Sequence, residues 1–209
     1  MSTAERTDDT GTDLAALVKQ GQALMSVGAQ GPGWLSDARR HGAQQVRRIG
    51  WPERKQEAWR YTPVGFLKEA RYQPTLHGPF SALRLDDIET LLLAPHDGVR
   101  LVFVNGFFAP QLSALAGDHG GVVMTTLGGS LGDEPAAIRS HLDQVAEYRL
   151  VFAALNSALM SDGACVLVPS AVQASQPIEL LHISVGLDDP GISHPRHLVV
   201  LEDGASARI

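Results

Sequence analysis

The tail from Val166 to Ile209 limits the fold more than any other stretch, because it reads as short apolar strands with no helix between them. Val166-Leu167-Val168 is closed by Pro169. Ile178 to Val185 follows, and Gly186 and Asp188-Asp189-Pro190-Gly191 interrupt it. His197-Leu198-Val199-Val200-Leu201 runs into Glu202-Asp203-Gly204, and Ala205 to Ile209 opens another alternation. β-Branched runs of this length, bounded by Gly, Pro and Asp, are strands rather than helices. Without intervening helices βαβ units are disfavoured, which leaves a sandwich or a parallel β-helix, and strands stacked as parallel coils would place Ile178–Val185 and Leu198–Leu201 in one sheet. The chain stops in mid-alternation. That implies a working protein extending beyond Ile209 and an exposed sheet end prone to fraying or self-association.

Composition narrows the class. With 209 residues, 44% hydrophobic and 19% charged, the chain can bury a core and reads as one or two soluble domains. No apolar run approaches the roughly 20 residues of a membrane span, and Met1 to Thr12 is polar with no export signal. The single cysteine, Cys165, excludes an internal disulfide and suits a reducing, cytoplasmic setting. A net charge of -6 argues against a general nucleic-acid binder.

Ahead of the tail the chain is mixed. Asp13 can cap a helix whose stripe is Leu14, Leu17, Val18, Leu24 and Met25, ended by Gly28 and Gln30-Gly31-Pro32-Gly33. A second helix is expected from Trp34 to about Arg48, with Gly42 weakening its middle. From Trp34 to Tyr72, nine basic residues (Arg39, Arg40, Arg47, Arg48, Arg54, Lys55, Arg60, Lys68, Arg71) face four acidic ones. That balance of +5 leaves -11 for the rest of the chain, and it reads as a solvated face paired with acidic surface or as a seat for an anionic partner.

Trp51 to Pro63 is the densest stretch. Its aromatics interleave with charges, Arg54 or Lys55 can pair with Glu57, and Thr62-Pro63 can start a short helix through Phe66 and Leu67. Large aromatics here are expected in the core, which makes Trp59 and Tyr61 anchors. Further on come a helix from Ser81 to Leu93, a strand over Val99 to Val104, and a turn at Asn105-Gly106 into Phe107-Phe108. A strand over Val122 to Leu127 and a helical stretch around Pro135 to Leu142 follow. Asp143 can cap a helix through Met160 with Val145, Tyr148, Phe152, Leu155 and Leu159 on one face, closed by Asp162-Gly163.

Candidate chemistry is thin. His182, His194 and His197 lie on or between tail strands, but their spacing does not make a metal ligand set. His182 alternates with Ile178 and Leu180, as an inward or stack-edge residue does. Cys165 has no basic neighbour to lower its pKa and is read as structural. No nucleophile elbow, zinc-protease motif, phosphate loop or dinucleotide fingerprint occurs.

Three motifs, in order, carry a family resemblance. Arg54-Lys55-x-Glu57-x-Trp59-Arg60-Tyr61-Thr62 is the first. Arg100 to Gly106, followed by Phe108, Pro110 and Leu112-Ser113, is the second. Pro177-Ile178-x-Leu180-Leu181 with His194-Pro195-Arg196-His197-Leu198-x-Val200-Leu201-Glu202-x-Gly204-Ala205 is the third. From about Gly50 to Ile209 the chain resembles the SufD branch of the SufB/SufD family of iron–sulfur cluster assembly proteins.

The resemblance implies an α+β fold, with a helical N-terminal domain leading into the first coils of a right-handed parallel β-helix. Residues 1–98 would form the helical region, 99–162 a mixed connecting region, and 163–209 the start of the β-helix. It implies a non-enzymatic scaffold component that acts with SufB and the ATPase SufC. Arg54, Lys55, Glu57, Trp59, Tyr61, Thr62, His194, Arg196 and His197 are then structural markers, with no catalytic, cofactor or metal residue among them. The iron–sulfur cluster would be handled by the assembled complex, since one thiol falls short of the roughly four ligands a bound cluster usually takes. The alternative from the residues alone is a non-enzymatic β-helix binding module whose basic helical anchor grips an anionic partner.

Overall fold

The computed structural model describes residues 12–27, 33–75, 83–92, 98–115, 119–129, 136–142, 144–145, 148–186 and 190–209. The expected break at Gly28 and Gln30-Gly31-Pro32, the Asp143 cap and the Asp188-Asp189 turn lie outside them.

Asp13 starts helix α1, Leu14–Val27, as its short acceptor side chain predicts: Oδ1 accepts the Ala15 amide at 2.9 Å. Helix α2, Gly33–Ile49, buries Leu35, Gly42, Ala43 and Val46. Helix α6, Val151–Leu159, completes this layer. Leu14, Leu17, Val18, Ala43, Val46, Val151, Leu155 and Leu159 make its core. Gly42 sets the spacing: a Cβ there would stand 2.6 Å from the Ala158 amide nitrogen and 2.7 Å from the Ala154 carbonyl oxygen of α6. The residue that weakens α2 as an isolated helix is the one that lets α6 approach. Arg39 caps the far end of α6, its Nε and one Nη donating to the Met160 carbonyl at 3.1 and 2.8 Å.

The expected long helix ending at Met160 is shorter. Leu150 is extended, with φ -93° and ψ 121°, so α6 begins at Val151; Val145 is 90% exposed, and Tyr148 stacks on His41 at 4.5 Å from outside the helix.

Between the helices and the strands runs an irregular connector. It holds a 3-10 turn at Glu57–Trp59, helix α3 at Gly65–Glu69 and strand β1 at Gln73–Pro74. Thr62 does not cap α3; its amide bonds back to the Trp59 carbonyl at 3.1 Å, and the cap position falls to Val64, which makes no side-chain bond. Helix α4, Leu85–Ile88, and a 3-10 turn at Glu89–Leu91 stand where one helix was expected. Of its apolar stripe Ile88 is buried, while Leu85 and Leu91 are exposed.

Two three-stranded sheets follow. One is ordered β3-β2-β6, from Phe107–Phe108, Val99–Val104 and Ile178–Ile183; the other is β4-β5-β8, from Val123–Thr126, Ala164–Val168 and Leu198–Leu201. Strand β7, Gly191–Ile192, pairs in parallel with β1. Asn105 and Gly106 both take positive φ, 48° and 87°, which matches the tight antiparallel turn joining β2 to β3. The pairings β2–β6 and β5–β8 are parallel.

The expectation that Ile178–Val185 and Leu198–Leu201 share a sheet is corrected: the first pairs with β2 and the second with β5. The turn after Pro169 carries the chain from one sheet to the other, and it returns beside β5. Val99, Leu101, Phe103 and Ile178 from the first sheet meet Ala164, Val166 and Val168 from the second in a shared core. Outside, Val102 and Val104 pack on Ile88, Ala109 and Leu112, while Cys165 packs on Leu35, Leu127, Ile138 and Met160 with helix α5, Ala136–His141. The result is α+β with sheets that remain open. Among the described residues no helix is long and apolar enough to cross a membrane.

Candidate functional site

The segment His194-Pro195-Arg196-His197 and the start of β5 meet at Asp162, which lies near both His197 and Cys165. Asp162 follows α6 and is buried, and its carboxylate is spoken for by three backbone amides. Oδ1 accepts Gly128 at 2.9 Å and Gly163 at 2.8 Å, and Oδ2 accepts Phe108 at 2.9 Å. Its carbonyl accepts the Arg196 amide at 2.8 Å. Through its side chain and its carbonyl, this one residue ties β3, the exit of β4, the start of β5 and the irregular segment before β8. Gly163 permits this crossing, because a Cβ there would lie 1.8 Å from the Arg196 carbonyl oxygen. Asp162-Gly163 reads in the sequence as an ordinary helix stop; an Asp-Gly pair looks the same whether it faces water or three backbone amides.

The His194–His197 segment is clamped to α6 as well. Asn156 Nδ2 donates to the Pro195 carbonyl at 2.9 Å, and the Arg196 guanidinium donates to Ser157 Oγ. His197 accepts the Ala164 amide on Nδ1 at 2.8 Å. Its ring lies 4.9 Å from that of His182, edge to face, and both contact Phe103, on which His182 stacks at 5.2 Å and 14°. Because Nδ1 is occupied as an acceptor, the proton of the neutral ring sits on Nε2, and neither nitrogen presents a free lone pair.

Burial pulls the His197 pKa below the usual imidazole range, His182 adds to the fall, and Asp162 opposes it. Burial lowers His182 too, and drives His194 down to about 4. Cys165 is turned to the opposite face of β5, and burial, with Asp162 nearby, pushes its thiol up to about 12. The group is therefore a set of neutral rings and a protonated thiol. Among the described residues no three His, Cys, Asp or Glu side chains are placed to hold a metal ion.

The first motif is divided by the connector. Trp59 is half-buried, edge-on to Phe152 at 5.4 Å, with Trp51 edge-on to the same ring at 6.2 Å. Tyr61 is 84% exposed, which overturns its reading as an anchor. Arg54, Lys55, Glu57 and Thr62 are exposed as well. Lys55 pairs with Glu53 at 2.7 Å rather than with Glu57, and Arg40 with Asp37 at 2.6 Å, so these cations are met locally and not by the acidic remainder.

The family described as SufBD protein N-terminal region matches residues 10–180. An iron–sulfur cluster assembly SufBD family protein of Synechocystis is 29% identical over 84% of this chain and 38% of its own length. The iron–sulfur cluster assembly protein SufD of Escherichia coli is 30% identical over 87% of this chain and 39% of its own. The chain spans about two fifths of the length of these relatives. With the family match running from the first helix into β6, the chain belongs to the SufBD family of iron–sulfur cluster assembly proteins.

Proposed function

We propose that the chain is the opening portion of a SufD-like subunit in the SUF assembly scaffold, working in the cytoplasm with SufB- and SufC-type partners and not itself an enzyme. The observation that carries this reading is the parallel offset of the tail. Cys165 lies opposite Leu198 and Gln173 opposite Ser206, so the chain repeats itself laterally over a whole circuit. Ile178 donates to the Arg208 carbonyl at 2.9 Å, which brings the last residues to the first residue of β6. A circuit that returns beside its own start is the unit of a parallel β-helix, and further coils or a related subunit can add at the edges of β6 and β8. Cluster chemistry is assigned elsewhere in the assembled complex, because the Cys165 thiol is buried and protonated and His197 has its Nδ1 lone pair engaged.

The test is genetic and biochemical. Deleting the coding gene should lower the activity of an iron–sulfur enzyme such as aconitase while sparing a cluster-free dehydrogenase. The protein tagged at its own locus should recover SufB- and SufC-type proteins. Unchanged aconitase activity under iron limitation would overturn the proposal.

A further inference from the structure

The connector spends most of its large side chains on the core and turns two, Tyr61 and Phe66, outward. Trp51 and Trp59 grip Phe152, and Leu67 lines an apolar crevice of about 190 Å³ with Leu14, Trp51, Tyr72, Phe152 and Ile192. The Trp51 indole donates to the Thr12 carbonyl at 2.9 Å, and Thr12 in turn holds the Lys68 carbonyl at 2.6 Å. These contacts pin the backbone. Against that fixed frame Tyr61 is 84% and Phe66 65% exposed.

Four residues of chain lie between those two rings, which keeps their Cα atoms within about 17 Å, inside the span of one interface. Arg60 lies 5.6 Å from the centre of the Tyr61 ring, and Arg54 and Lys68 are exposed on the same connector. Exposed aromatics beside arginine on a rigid support have the composition of an interface centre rather than of ordinary surface. Residues 51–72 hold five cations against three carboxylates, Glu53, Glu57 and Glu69, and follow the exposed Arg47 and Arg48 of α2.

We propose that this face docks an acidic polypeptide segment of a partner protein, one that carries an aromatic or aliphatic anchor. The anchor stacks on Tyr61 and Phe66 while the carboxylates meet Arg54, Arg60 and Lys68. Neutral apolar partners leave those cations unmet. A purely charged partner leaves the two rings in water.

The probe is a fluorescent random copolymer of glutamate and tyrosine, titrated against the full chain by anisotropy. Poly-glutamate, a dT20 oligonucleotide and vesicles of phosphatidylglycerol and phosphatidylcholine are run beside it. The expected result is saturable copolymer binding, tighter than to the other three. Tyr61→Ala with Phe66→Ala should weaken it about tenfold or more, and so should Arg60→Glu with Lys68→Glu. Both doubly substituted proteins should keep the parent circular dichroism and melting temperature, since the altered side chains lie outside the core. Absent copolymer binding, equal binding of poly-glutamate, preference for the oligonucleotide or vesicles, or indifference to the aromatic pair would each overturn the proposal.

Discussion

The helical layer and the strand stack bury their apolar surface by opposite means. The helices close on themselves: α2 and α6 approach until only a hydrogen fits at Gly42, and Arg39 seals the end of α6. The stack is additive. Inward rows from two sheets face each other, but each sheet finishes at a strand whose outer edge has no strand partner among the described residues, β6 in one and β8 in the other. Val199 and Leu201 on β8 are accordingly 39% and 46% exposed although they stand beside the fully buried Val166 and Val168. A closed layer fixes a shape once, whereas an open stack fixes only where the next strand goes. The two meet at Asp162 and Gly163.

The joint gives the largest expected effect. Gly163→Ala should cost about 3 kcal/mol or more, since its Cβ would run into the Arg196 backbone and not into a movable side chain. Gly42→Ala should cost about 1–3 kcal/mol by prising α2 from α6. Urea midpoints of the two variants rank the joint against the helical layer. A smaller loss at Gly163 than at Gly42 would break the view of the joint as the stricter constraint.

Acid separates the regions in another way. His194 is buried and neutral when folded, with a pKa near 4 against 6.5 when free. The unfolded chain therefore takes up a proton first. The stability this group maintains is complete above about pH 6.5 and falls as pH drops towards 4, by about 3 kcal/mol at pH 4. Comparing unfolding at pH 7 and pH 4 for the parent and His194→Leu isolates the effect: the variant should show a slope shallower by that amount, and an identical slope would refute it.

The smallest effect sharpens the division within the connector. Trp59→Ala should cost about 2–3 kcal/mol through its lost contact with Phe152. Tyr61→Ala should change the melting curve by no more than about 0.5 kcal/mol, because its ring is in solvent. Equal losses would place Tyr61 in the core after all.

Much of this was legible in the residues, and the failures share a cause. Helices α1 and α2, strands β2, β5, β6 and β8, and the Asn105-Gly106 turn follow from periodicity and turn chemistry, which are local. Which strand pairs with which is not local. Ile178 and Leu198 carry the same alternation, and nothing in either run says that one faces β2 and the other β5. Tyr61 and Trp59 look alike for the same reason: Trp59 ends the 3-10 turn and Tyr61 lies two residues past it, and only the backbone decides which meets Phe152. Asp162 was hidden because its acceptors' partners, Phe108 and Gly128, come from segments far along the chain.

The central claim is that the stack ends in two acceptor edges, and amide hydrogen exchange of the dilute monomer tests it most directly. Along a strand successive amides point to opposite edges. On β6 the Leu181 and Ile183 amides face β2, while those of Leu180 and His182 face outward; on β8 the Val200 amide faces β5, while those of Val199 and Leu201 face outward. The account predicts protection alternating residue by residue along both strands, with the outward set exchanging at least about a hundredfold faster than the amides of β2 and β5. Uniform protection along β6 and β8 would contradict it, because it would mean that those edges are already filled.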